Sequence, residues 1–479
     1  MRRIEPRVAE RAALALLVVA AIAAWALIPT YPDYDAYEHL NWGVQVLDAT
    51  KPGFEAYAAP TEHPLYLAIA TALVGIDRAD ADRLLVLFTV LSLVALIAGA
   101  YALGRALFGR PAGAAGALFV GSSFAFLLYA VRAFVDVPFL ALVIWAAALE
   151  AARPRRGVLP MVLLAVAGLL RPEAWVLAGL YWLWCWPDRS TRARLGLLAL
   201  VVVSPVLWAV VDAIVTGDPL FSLHSTSKLS EALGRERGIR HVPSSFVSYL
   251  ATVARPPVAL AGAIGIVLAV RRHGWERMAV PLALLGAGAL TFVATGVAGL
   301  PLLPRYLTVP AVALCVLAGY AVMYFTTLPA GPLRERWRYA AIAAAVVGVA
   351  FLAVKASSFE RLRDELRFIR HTHAAVHDLL RQPYVAGALA RCDGPMTFPT
   401  YRLVPDARWA LGGGRRNVRS RAEDPDPGAI AVYITGEAKF ARRFGRADGV
   451  SRSTNVRPRG TPTTRSGPFA VYVHCRAAP

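Results

Sequence analysis

Apolar blocks recur through the first 355 residues of this chain, many of them long enough to cross a hydrocarbon core by themselves. They are separated by short basic loops. Only 17% of the 479 residues are charged and 57% are hydrophobic, whereas soluble domains carry about 25% charged residues. A soluble fold of this length has too little interior to hide so much apolar surface. The pattern implies a polytopic all-α membrane domain. The many glycines and prolines fit, because membrane helices tolerate both.

The formal net charge is +19, from 51 Lys+Arg against 32 Asp+Glu. Arg-rich loops of membrane proteins gather on the cytoplasmic side, so the charge is first a statement about topology. No helix-turn-helix, RNP or zinc-finger pattern accompanies it, which argues against a nucleic-acid partner.

Arg2, Arg3, Arg7 and Arg11 precede the first block (12–28) and place the N-terminus inside. An aromatic, polar loop (30–66) then faces outward. Residues 65–76 are apolar but short, and read as an interfacial or re-entrant helix. Further spans fall at 83–104, 112–131, 137–152, a short pair at 158–170 and 174–186, then 195–215, 253–270, 278–299, 306–325 and 339–354. That makes about eleven by the hydropathy criterion. The loops assigned to the cytoplasm are then Arg-rich. The expected location is the plasma (inner) membrane, surrounded by membrane lipids.

The composition turns polar after residue 355, so the expected division is 1–355 in the membrane and 356–479 as a small soluble α/β domain outside it. Residues 359–382 read as an amphipathic helix, and "AIAVYITG" and "FAVYVHC" as strands. Outside the cytoplasm Cys392 and Cys475 are expected to pair. Cys185 and Cys315 fall within spans and read as packing residues.

Ionisable residues at or just outside membrane depth are costly and often functional. Asp33 and Asp35, with Glu38 and His39, follow the first span. Two carboxylates among aromatics suit a general base, a sugar-hydroxyl site or a divalent cation such as Mg or Mn; equally, Asp33 suits a helix cap. Arg132 and Asp136 stand one turn apart, as a functional pair or a salt bridge at a helix end. Arg171 and Glu173 lie between two short, Pro-broken spans, where Arg can hold phosphate bidentately. His224, Lys228 and Arg305 are cations suited to a lipid phosphate, or to snorkelling. His373 and His377 are i,i+4, but no third ligand stands at a metal-site spacing. "GGGRRN" (412–417) lacks phosphate-loop spacing and reads as a basic turn.

Together these segments resemble the GT-C membrane glycosyltransferases, particularly the lipid A aminoarabinose transferase and protein O-mannosyltransferase branch. The matching stretches are "DYDAYEHLNWGVQVL", "TEHPLYLAIATALVGIDRADADRLL", "GRALFGRPAGAAGALF", "RAFVDVPFLALVIWAAAL", "RPEAW" and "PRYLTVPAVALCVLAG", in family order over residues 10–325. The resemblance implies sugar transfer from a polyprenyl-phosphate-linked donor to a lipid or polysaccharide acceptor on the outer face. It casts Asp35 or Asp33 as base, with Asp136 as the second outer acid. Two departures stand out. The family's Lys-Pro-Pro-Leu is "EHPL" here, so Glu62 and His63 occupy the lysine's stretch, and Ala36 follows Asp35 where Glu is common. Phosphate binding then falls to Arg171, Arg305, Lys228 or Arg132. Asp35 and Arg305 are expected on one cavity under the 216–252 loop, with Asp136 on its wall. The competing readings are a lipid-linked-sugar flippase, which predicts inverted repeats, and a non-catalytic envelope-binding protein.

Overall fold

The computed structural model describes residues 6–232, 234–354, 356–414, 417–435, 444, 455 and 461–475. Arg2 and Arg3, and the arginines of the 412–417 turn, lie outside the described residues. The chain runs through α1 (Pro6–Leu27), α2 (Tyr34–Leu47), α3 (Pro64–Ile76), α4 (Ala81–Phe108), α5 (Arg110–Gly121), α6 (Phe124–Val131), α7 (Asp136–Ala152), α8 (Val158–Gly168) and α9 (Glu173–Cys185). It continues with α10 (Thr191–Thr216), α11 (Phe221–Ala232), α12 (Val242–Ala254), α13 (Pro256–Val297), α14 (Thr308–Met323) and α15 (Pro332–Val354). The C-terminal part holds α16 (Ala356–Arg381), α17 (Pro383–Arg391), β1 (Met396–Phe398), α18 (Val404–Ala410), β2 (Val418–Ser420), β3 (Ile430–Ile434), β4 (Thr464–Ser466) and β5 (Phe469–Val473).

Among the described residues five helices are long and apolar enough to cross a membrane, or six if the α5–α6 pair, bent by 59°, is one span. About eleven were expected on hydropathy. The difference lies in local geometry. Residues 158–186 form two helices of 11 and 13 residues, each well short of a hydrocarbon core of about 30 Å at 1.5 Å per residue. The expected spans 253–270 and 278–299 do stand as two separate helices within the 42 residues of α13, parted at Gly274, where φ is +73°. Only glycine adopts that backbone freely.

Basic residues meet at one end of the bundle. There Glu10 pairs with Arg105 (2.8 Å) and Arg110 (3.0 Å), and Arg277 donates to the Ala106 carbonyl. At the opposite end Arg83 donates to the Trp25 and Thr30 carbonyls, tying α1 to α4 just before the acidic loop. The α3 helix stays at this second end. Its 13 residues reach only about 20 Å. His63 before it meets His39, and Arg78 after it donates to the Gly412 carbonyl at 3.1 Å. The α2 and α3 backbones touch at Gly43, where a Cβ would lie 3.0 Å from Thr71 Cα.

The "GRALFGRPAGAAGALF" stretch is a packing device. A Cβ on Gly113 would fall 2.6 Å from the Tyr101 carbonyl, and one on Gly319 would fall 2.4 Å from the Gly116 nitrogen. Small residues therefore let α4, α5 and α14 close backbone to backbone, as membrane helices do where lipid offers no hydrophobic gain.

The C-terminal sheet has the order β2-β1-β3-β5-β4. β1 pairs in parallel with β2 and β3, and β5 antiparallel with β3 and β4. The two strands read from the sequence are β3 and β5. α16 packs its apolar stripe, Phe368, Val376 and Leu379 among it, on the sheet. A disulfide joins Cys392, after α17, to Cys475, after β5, with their Cα atoms 5.7 Å apart. Cys185 and Cys315 are buried and unbonded.

This domain docks on α2. Arg408 pairs with Glu38 at 3.1 Å, Asn41 donates to the Pro405 carbonyl at 3.0 Å, and Tyr34 meets Tyr401 edge-on.

Candidate active site

The docking encloses a cavity of about 440 Å³ at the end of the bundle opposite the arginine loops. Its floor is the segment 31–35, its sides carry Arg132 and Arg305, and Arg235 enters from the 216–252 loop. The roof is C-terminal: Phe368, His373, Tyr401, Arg402 and Asp406. The roof was not expected, since nothing in residues 356–479 matched a known pattern.

Asp35 and Arg305 meet here, the carboxylate Oδ2 3.3 Å from Nη1, 270 residues apart in sequence. Asp35 stands in the first turn of α2, and Arg305 in a 3-10 turn, Pro304–Leu307, that opens α14. Asp35 Oδ1 and Arg305 Nε are both buried without a hydrogen-bond partner. Each of these cavity-lining residues thus keeps one buried polar atom unsatisfied, and such a group costs about 1–3 kcal/mol.

Asp33 has a different task. It caps α2, with Oδ1 accepting from the Ala36 N–H at 3.0 Å, and its own N–H donates to the Arg132 carbonyl at 3.0 Å. Burial first, and then the Asp35 charge, push its carboxyl up to about 8. Arg132 in turn donates to the Tyr31 carbonyl at 3.1 Å.

Asp136 does not reach the cavity wall. It is fully buried and paired with Arg171, which also grips Glu173. The Arg171 guanidinium lies over the rings of Phe139 and Tyr306. The three residues form one closed network linking α7 to the start of α9, behind the cavity. His224 pairs with Asp218 on the exposed face, and Lys228 is exposed; neither lines the cavity.

Glu62 and His63 sit in a separate buried cluster. Glu62 accepts from Ser222 and from Trp208 Nε1, and Asp212 shares Ser222. Burial, and then the Asp212 carboxyl, push Glu62 up to about 10. The His63 ring stacks on His39 at 5.6 Å, and burial lowers the His39 imidazole to about 4. At neutral pH this stretch offers no positive charge for a phosphate.

The Glu62 geometry has a measurable consequence. The folded state keeps a proton that the unfolded chain loses above about 4.5. This contribution to stability is complete below pH 4.5 and is lost as pH rises toward 10. Glu62→Gln keeps the neutral shape, so its melting temperature should match wild type at pH 5 and exceed it at pH 9. Parallel melting curves across that range would refute the protonated carboxyl.

No protein-family model matches the chain, and no curated protein matches it in sequence. Solved structures do. The crystal structure of ArnT from Cupriavidus metallidurans bound to undecaprenyl phosphate is similar with a TM-score of 0.54 and 15% identity, covering 95% of this chain and 97% of that one. The apo form gives 0.55 and 14%, covering 97% and 98%. A looser likeness, TM-score 0.47 and 12% identity over 85% of this chain and 63% of that one, is to an Archaeoglobus fulgidus oligosaccharyltransferase. Over nearly its whole length the chain therefore has the fold of ArnT, with several helices long and apolar enough to cross a membrane.

Proposed function

We propose that this chain is an inverting glycosyltransferase that moves a sugar from a polyprenyl-phosphate donor to an envelope acceptor on the outer face of the membrane. The observation that carries the reading is the Asp35–Arg305 pair, a carboxylate and a guanidinium that line a single cavity and each keep one buried polar atom without a partner. The fold is that of a protein solved with undecaprenyl phosphate.

The chemistry follows from these two groups. Donor phosphate displaces Asp35 from Arg305, and the released carboxylate is then free to act as base. It takes the acceptor hydroxyl proton as that oxygen forms its bond to C1 of the sugar. The C1–O bond to phosphate breaks through an oxocarbenium-like centre. Its electron pair leaves on the phosphate, where Arg305 stabilises the growing charge. A phosphate is a good leaving group without protonation, and one displacement inverts C1. With Glu62 and His63 neutral, the positive charge for the phosphate comes from Arg305, helped by Arg132 and Arg235 on the same wall.

The test is to incubate the purified protein with a panel of radiolabelled polyprenyl-phosphate sugars and measure release of polyprenyl phosphate. One donor should be consumed. Arg305→Ala should raise the half-saturating donor concentration about 10–100-fold, the scale of one charge-assisted contact. Consumption of no donor, or unchanged saturation in the variant, would reject the reading.

A further inference from the structure

We propose that His373, His377 and Asp406 form a binding site for a divalent transition metal of the zinc class, set into the roof of the cavity. The two histidines stand one turn apart on α16, so both imidazoles face the same side, with ring centroids 3.9 Å apart. Asp406 arrives from another element. It lies in the first turn of α18, which the sheet and the docking on α2 bring against α16.

One carboxylate oxygen of Asp406 is 3.1 Å from His373 Nδ1 and 3.2 Å from His377 Nε2. The three donor atoms lie within 4.8 Å of one another. A tetrahedral zinc with bonds of about 2.0–2.1 Å holds its donors about 3.3 Å apart, close to the two Asp406 contacts. Two imidazoles and one carboxylate suit zinc and its neighbours, while Mg and Ca prefer all-oxygen shells.

The surroundings fit a bound ion. Tyr31 stacks on His373 at 3.6 Å and fixes its ring. The Tyr37 hydroxyl lies 3.1 Å from His373 Nδ1 and donates to Asp82 at 3.3 Å, so one further oxygen stands next to the triad, with a carboxylate behind it. Three protein ligands leave one position open. His373 and Asp406 lie in the cavity wall, so that position is reached from the cavity, by water or by an anionic oxygen. The site also spans the joint between the domain and α2 and α4, where an ion would fasten the roof.

The inference is independent of the proposed transferase activity, and its test needs no turnover. Tag-free full-length protein in detergent is stripped with chelator, loaded with zinc, freed of excess and assayed for metal. Cobalt(II) is added in parallel and its visible absorption recorded. Wild type should keep one zinc per chain and give the intense spectrum of tetrahedral cobalt. His377→Ala and Asp406→Asn should weaken zinc retention about 100-fold or more, beyond what loss of an outer partner gives. Wild-type protein that keeps no zinc and leaves cobalt with its aqueous spectrum would overturn the site, whether or not the variants fold. So would variants that fold and retain zinc as wild type does. Either result would make the triad a hydrogen-bonded bridge and nothing more.

Discussion

Asp35→Asn should lower turnover by about 10²–10⁴-fold, the usual size of a lost general base, while donor binding holds or tightens. The second half is the more diagnostic. In the resting site the carboxylate occupies the Arg305 guanidinium at 3.3 Å, and donor phosphate has to displace it. Neutralising Asp35 removes that competitor, so affinity should not fall. Asp33 is the control two residues away. Its carboxyl already caps α2 and sits near 8, so at pH 7 it is mostly neutral, and Asn caps a helix about as well as Asp. Asp33→Asn should stay within a few-fold of wild type. A reversed order, with Asp33→Asn inactive and Asp35→Asn active, would move the base to Asp33. Full turnover by the double variant would end the carboxylate mechanism altogether.

The spacing "YPDYDAYEH" could not choose between these two acids, because both are compatible with a cap and with a site. The choice comes from which oxygen reaches a backbone N–H, and only the folded start of α2 decides that. Arg305 was legible as a cation opening a span, and the shortness of the helix in residues 65–76 was legible from its apolar run. Hydropathy registers how many apolar residues follow one another, and so it found the boundary that Gly274 makes between two helices but reads the α5–α6 bend of 59° as nothing.

The roof was invisible for another reason. His373 and His377 announce themselves at helical spacing, but Asp406 is 33 residues away from His373, and its approach depends on strand order. Local spacing carries no record of such contacts. Arg132 and Asp136 illustrate the converse. Their one-turn spacing suggests a pair, yet Asp136 takes Arg171, 35 residues on, and Arg132 turns to the Tyr31 carbonyl.

That exchange leads to the largest expected effect on stability. Arg171 lies between Asp136 and Glu173, with only 4% of its side chain exposed against 0% and 15% for the two acids. Removing the shared cation leaves two carboxylates facing each other in a closed space. Breaking a buried ion pair by deleting one partner costs about 3–5 kcal/mol, so Arg171→Met should lower the melting temperature in detergent sharply. The cause is the stranded charge rather than lost packing, since Met keeps most of the aliphatic volume. Asp136→Asn with Glu173→Gln, added to Arg171→Met, should therefore recover much of the loss, because neutral replacement of a whole buried network is often nearly neutral. A residue that binds donor phosphate shows itself in affinity: its variant loses donor binding, whatever it does to the melting temperature. If Arg171→Met melts with wild type and fails only in donor binding, the guanidinium belongs to the substrate, and the network behind the cavity is part of the site.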